Sequence, residues 1–88
     1  MIEREAQIVN SLGLHMRPAS QLVRLASSFA SDIELANEQL AVNGKSIMGV
    51  MMLAAECGSK IRIRAKGDDA EAAVTALSAL VAKGFGEQ

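Results

Sequence analysis

Tryptophan and tyrosine are missing from this chain, and Phe29 and Phe85 are its only aromatic residues. A core built from it must be aliphatic, and it has no stacking platform of the kind on which single-strand nucleic-acid binders lay their bases. Cysteine is nearly absent too. Cys57 stands alone, so no internal disulfide can form, which fits a reducing cytosol. That residue is expected as a small buried apolar side chain or an inert thiol. One Cys and the single His15 are too few for a typical structural zinc site, and no metal or other cofactor is expected. No apolar run approaches the length of a membrane span. The start, Met-Ile-Glu-Arg-Glu, is charged and has no apolar region behind it. A cytoplasmic location without membrane insertion follows. Basic excess is lacking as well: the formal net charge is −1, whereas a protein that tracks nucleic-acid phosphates needs the opposite balance.

Half of the 88 residues are apolar, enough for a globular chain. That length predicts a single domain over residues 1–88, with every helix sharing one core. A strand is expected over Ile2–Val9, with Ile2, Ala6 and Ile8 on one face and Glu3, Glu5 and Gln7 on the other. A helix follows over about Met16–Phe29, with Ala19, Leu22, Val23, Ala26 and Phe29 at helical spacing. Asp32–Ala36 is a second strand, turning at Asn37-Glu38 into a third marked by Leu40 and Val42. Ser46 caps a short helix over about Ile47–Leu53. Lys60–Lys66 alternates cleanly, with Ile61, Ile63 and Ala65 inward and Lys60, Arg62, Arg64 and Lys66 outward. A last helix covers about Asp69–Lys83, begun by a capping box of Asp68 with Glu71 and closed by Gly84 at C′.

The order β-α-β-β-α-β-α, with strands apolar on one face, predicts an α+β open-faced sandwich: one antiparallel sheet with three helices on one side. The basic outer row of the fourth strand needs acidic neighbours. Glu3 and Glu5 of the first strand and Asp32 and Glu34 of the second supply them, giving the strand order 1-4-2-3.

The segment Gly13-Leu14-His15-Met16-Arg17-Pro18-Ala19 carries the chemistry. Gly13 permits a sharp turn, and Pro18 suits a first helical turn, where its missing N–H costs nothing. His15 therefore sits where the helix begins, beside free N–H groups and the positive end of the helix dipole. Arg17 adds a full charge and a fork for phosphate. Positive surroundings favour a neutral ring, whose nitrogen is a nucleophile. A histidine that accepts and passes on a phosphoryl group is one outcome; a surface histidine that merely ends a helix is the other. A hydrolytic triad with Ser46 is disfavoured, because no acidic residue flanks His15 in the sequence.

This segment resembles the active-site segment of the HPr family, the histidine-containing phosphocarriers of the bacterial phosphoenolpyruvate:sugar phosphotransferase system. The usual family form has alanine after the histidine; Met16 stands there in this chain and adds bulk beside the ring. Lys45-Ser46-Ile47-Met48-Gly49-Val50-Met51 resembles the regulatory-serine segment of the Gram-positive-type members. The resemblance implies the HPr-like fold with strand order 1-4-2-3. It also implies a carrier working through a phosphohistidine at His15 rather than a stand-alone catalyst, with Arg17 stabilising the transferred group. Implied partners are enzyme I as donor and enzyme II A domains as acceptors. An HPr kinase/phosphorylase would act on Ser46 where the host carries one.

In the short helix Val50 and Leu53 can enter the core, while Ile47, Met48, Met51 and Met52 cannot all join them. Exposed methionine suits a surface that fits several partners, although methionine also fills gaps in an aromatic-poor core. The expected docking set is Met16, Ser20, Arg24, Ile47, Met48 and Met51, on a monomer. Two other functions remain open at this level: a carrier of the nitrogen-related phosphotransferase branch with a signalling role, and an interaction module whose His15 is never phosphorylated.

Overall fold

The computed structural model describes residues 1–87. Its elements are β1 (Ile2–Gln7), α1 (Met16–Ser27), β2 (Asp32–Ala36), β3 (Ala41–Asn43), α2 (Ile47–Met52), β4 (Lys60–Lys66) and α3 (Ala70–Ala82), with a 3₁₀ turn at Gly84–Gly86. The four strands form one antiparallel sheet in the order β1-β4-β2-β3. α3 lies against β1 and β4, α2 against β3, and α1 against both other helices. The inward face of β4 buries Ile61, Ile63 and Ala65 as its alternation requires.

The charge argument for the strand order holds at atomic level. Glu3 and Glu34 both stand opposite Arg64, and Asp32 stands opposite Lys66. Arg64 binds Glu3 through Nε and Glu34 through Nη1, each at 2.7 Å. Those carboxylates hold its guanidinium above its ordinary pKa. Arg62 departs from the expected pairing, because its Nη2 donates to the Asn37 carbonyl at 3.0 Å.

The aliphatic core includes Leu22, Ala19 and Ala26 from α1, Leu35 from β2, Val50 from α2, and Val74, Leu77 and Val81 from α3. Leu22 has no exposed surface, so trimming it to Ala would cost about 2–5 kcal/mol. The β2–β3 turn is set by Asn37, whose Oδ1 accepts the N–H groups of Gln39 and Leu40. That bond holds Leu40 in the turn, so β3 begins at Ala41. No helix is long and apolar enough to cross a membrane.

Several expectations need correction. The regular β1 ladder ends at Gln7, after which Ile8 still bonds Ser59 and Gly58 through its backbone and enters the core, while Ile2 is exposed at the sheet end. α1 stops at Ser27, two residues early, and Phe29 packs against the core from beyond it. The Asp68–Glu71 capping box does not form. Asp69 is the N-cap and makes no side-chain bond to its own helix. Its carboxylate turns to the loop before β2 and accepts the Ala30 N–H (2.8 Å), the Ser31 N–H (2.9 Å) and the Ser31 hydroxyl. These bonds, that from Ser31 Oγ foremost, hold its pKa below the usual carboxylate range. Cys57 is exposed, in the turn before β4.

Candidate functional site

His15 is the N-cap of α1, in extended backbone. The loop that delivers it is tied from two sides. Leu14 donates its N–H to the Ala55 carbonyl (2.9 Å), and Gly13 donates to the Asn10 carbonyl (3.1 Å). Gly13 has φ +69°, and a Cβ there would collide with the Ala55 carbonyl oxygen, so the turn needs glycine. Beyond the cap, Ala19 donates to the His15 carbonyl as the first helical bond. Met16 and Arg17 donate their N–H groups to nothing among the described residues, and Pro18 has no N–H to satisfy. The start of α1 thus offers two free donors beside the ring, and no acidic residue occupies its first turn.

The ring has a partner that local sequence does not reveal. Nε2 of His15 lies 2.8 Å from Glu87 Oε1, across 72 residues. Asn10, almost wholly buried, donates through Nδ2 to the same oxygen (3.0 Å) and to the Gly13 carbonyl (2.8 Å). Both are acceptors, so only the NH2 group of Asn10 can face them. The bonds from His15 and Asn10 depress the Glu87 pKa, with Arg17 adding its charge. The expectation that His15 has no acidic neighbour is therefore corrected: it holds in the sequence and fails in space. The ring is not enclosed by positive charge alone, because the Glu87 carboxylate offsets the helix end and Arg17.

Arg17 is exposed beside the start of α1. Met16 beside it is 61% exposed. Ser20 is half-buried one turn on, and Arg24 is exposed and lines a shallow groove with Gln21, Leu25, Ser28 and Leu80. Ser46 is the N-cap of α2, its Oγ accepting the Gly49 N–H at 3.1 Å. Met48 (77%), Met52 (65%) and Ile47 (41%) are the exposed apolar residues of that helix. Met51 is partly buried against the core, so its place on the expected exposed patch passes largely to Met52. Lys45 Nζ donates to the Phe29 carbonyl, just beyond α1 (2.7 Å).

Comparison with known proteins decides the family. A model described as "PTS HPr component phosphorylation site" matches residues 2–83. The chain belongs to the HPr phosphocarrier family. It is 45% identical over 87 residues to the phosphocarrier protein HPr of Cupriavidus necator, covering 99% of this chain and 98% of that one. The crystal structure of HPr from Thermoanaerobacter tengcongensis superposes with a TM-score of 0.95 at 43% identity, covering 100% and 99% of the two chains. A phosphocarrier protein NPr from Shewanella violacea is 40% identical over 86 residues, covering 98% and 94%. The family's work is phosphoryl transfer within the phosphotransferase system, and membership implies partner proteins of that system.

Proposed function

We propose that His15 is the phosphoryl acceptor and that Nδ1 is the atom that takes the group. One observation carries this: the ring stands at the start of α1 with Nε2 engaged and, among the described residues, no partner on Nδ1. An ionised carboxylate can only accept, so Nε2 bears the proton toward Glu87. In the neutral ring the lone pair is then on Nδ1. The N–H groups of Met16 and Arg17 and the Arg17 guanidinium are the donors for the phosphoryl oxygens. The residues are present for binding charge as it develops on the transferred group, where electrostatic stabilisation is worth most.

In this reading the chain, acting as one cytoplasmic domain over residues 1–88, receives the phosphoryl group from enzyme I and hands it to enzyme II A domains. Met16, Ile47, Met48 and Met52 form the apolar part of the docking face, Met51 backs it, and Ser20 and Arg24 extend it along α1. Phosphorylation of Ser46 by an HPr kinase/phosphorylase would place a charge beside that face. The carrier is read as a monomer, a state in which His15, Arg17, Asn10 and Glu87 of a single copy suffice for the site. HPr of T. tengcongensis has also been solved as a dimer, so a size measurement on the phosphorylated protein belongs to the test. The signalling branch is the second reading, favoured by the likeness to NPr of S. violacea. Incubation with phosphoenolpyruvate and either a sugar-type or a nitrogen-type enzyme I separates the two. Faster phosphorylation by the sugar-type enzyme supports the proposal, and faster phosphorylation by the other replaces it.

A further inference from the structure

The end of the chain is built to reach the site. After α3 come three successive residues in the left-handed region: Gly84 (φ 64°), Phe85 (φ 59°) and Gly86 (φ 76°). For phenylalanine that conformation is strained, and it persists only where the surroundings hold it. Phe85 is held, buried in the core at 3% exposure. Glu87 N–H then closes onto the Gly84 carbonyl (3.0 Å). The tail passes close to the loop that carries His15, with the Cβ position of Gly84 only 3.6 Å from Asn10 Cβ. Asn10 completes the seat. It spends both available N–H bonds on Gly13 and Glu87, while its own buried Oδ1 has no partner among the described residues.

We propose that Glu87 is a positioning residue for phosphoryl transfer, carried to His15 by the anchored tail, where it keeps the ring proton on Nε2 and balances the charge the ring gains at Nδ1. The inference rests on the reading of His15 as acceptor. The step balances without any proton leaving the ring. The Nδ1 lone pair forms the N–P bond, and the bond from phosphorus to the donor protein breaks, its electron pair departing with the donor. The ring still holds its Nε2 proton and has become an imidazolium with the Glu87 carboxylate against it. On release, the N–P electron pair returns to Nδ1 and the neutral ring is restored. This parallels the way a buried carboxylate fixes the tautomer and stabilises the imidazolium in acyl-transfer sites. Among the described residues, the ring stands at the α1 start with Arg17 nearby and Glu87 on its Nε2, and Glu87, itself held by Asn10, is the negative group of this set.

The test uses the full chain with Glu87→Gln, Glu87→Ala and Glu87→Asp. Two quantities are read: the fraction phosphorylated at equilibrium with phosphorylated enzyme I, and the hydrogen-bonded Nε2 proton by ring-nitrogen NMR. The parent should show a protected Nε2 proton. Glu87→Gln, which keeps the shape and removes the charge, should lower the phosphorylated fraction by about tenfold. Glu87→Ala should also lose the protected proton, and Glu87→Asp should recover part of both signals. Melting temperature and Phe85 ring signals should stay at parent values, which separates positioning from folding. Parent-like phosphorylation in Glu87→Gln and Glu87→Ala, or a protected Nε2 proton in Glu87→Ala, would overturn the proposal. If the parent itself takes no phosphoryl group, the reading of His15 falls first and this inference falls with it.

Discussion

The outer face of the sheet and the tip around His15 use the same residue types to opposite ends. On the sheet, Arg64 is enclosed by Glu3 and Glu34, each 2.7 Å away, and its charge is answered within the fold. At the tip, Arg17 is exposed, and two backbone N–H groups next to it go unused among the described residues. Positive charge that is already paired serves assembly of the fold. Positive charge and donors left unpaired are, in the proposed function, the place where a phosphoryl group arriving from outside would bind. Glu87, the acidic partner of the ring among the described residues, is bound to its Nε2 and leaves Nδ1 to face the start of α1.

Removing one arginine from each region breaks the comparison most directly. Arg17→Ala should slow transfer from enzyme I by about two orders of magnitude, the usual cost of losing one donor to developing charge, with an unchanged thermal melt. Arg17→Lys should recover only part of the rate, for want of the planar fork. Arg64→Ala should do the reverse, with transfer at the parent rate and a lowered melting temperature. Equal transfer rates in Arg17→Ala and Arg64→Ala would mean that exposure and free donors do not distinguish the two regions.

A smaller effect is expected when charge is added beside the tip. Ser46→Asp should weaken transfer from enzyme I by roughly tenfold without lowering the melting temperature. The negative group lies at a helix start, where it is tolerated, but beside Ile47 and Met48, where a hydrated charge resists burial under a partner. A collapsed melt would make Ser46 a structural cap alone, and unchanged transfer would remove it from regulation.

The smallest effect concerns acid. Asp69 has a folded pKa below its unfolded value, so its bonds to Ala30 and Ser31 stabilise the fold fully above the ordinary carboxylate range. That contribution disappears as pH falls through the lower folded value. Between neutral pH and about pH 5 it should be constant. Asp69→Asn should be less stable at neutral pH and lose less on acidification, as urea melts at several pH values would show. Parallel acid losses in parent and variant would contradict the assignment.

Much of this was legible in local pattern. The alternation of Lys60–Lys66 and the acids of β1 and β2 led to the strand order, because like charges cannot sit across from one another. Gly13, Pro18 and the α1 stripe located the helix start and hence His15. Ser46 was readable as a cap from its position before Ile47. Glu87 and Asn10 were not readable as site residues, since Glu87 reaches both His15 and Asn10 from beyond the left-handed run at Gly84–Gly86. Gly84 as the C′ residue was the available signal, and it marked only the end of the last helix. The Asp68–Glu71 capping box misled because the N-cap is one residue later, at Asp69, whose carboxylate serves the Ala30–Ser31 loop and not its own helix. Met51 and Met52 are adjacent on a single short turn, and which one faces the core depends on where α2 is seated.

The account stands or falls on one measurement: the chain and its His15→Ala variant are each incubated with enzyme I and isotopically labelled phosphoenolpyruvate, and the bound phosphoryl group is located by phosphorus–nitrogen NMR. The predicted result is one acid-labile phosphoryl group on Nδ1 of His15, and none on the variant. A phosphoryl group on Nε2, or equal labelling of the variant, would contradict it.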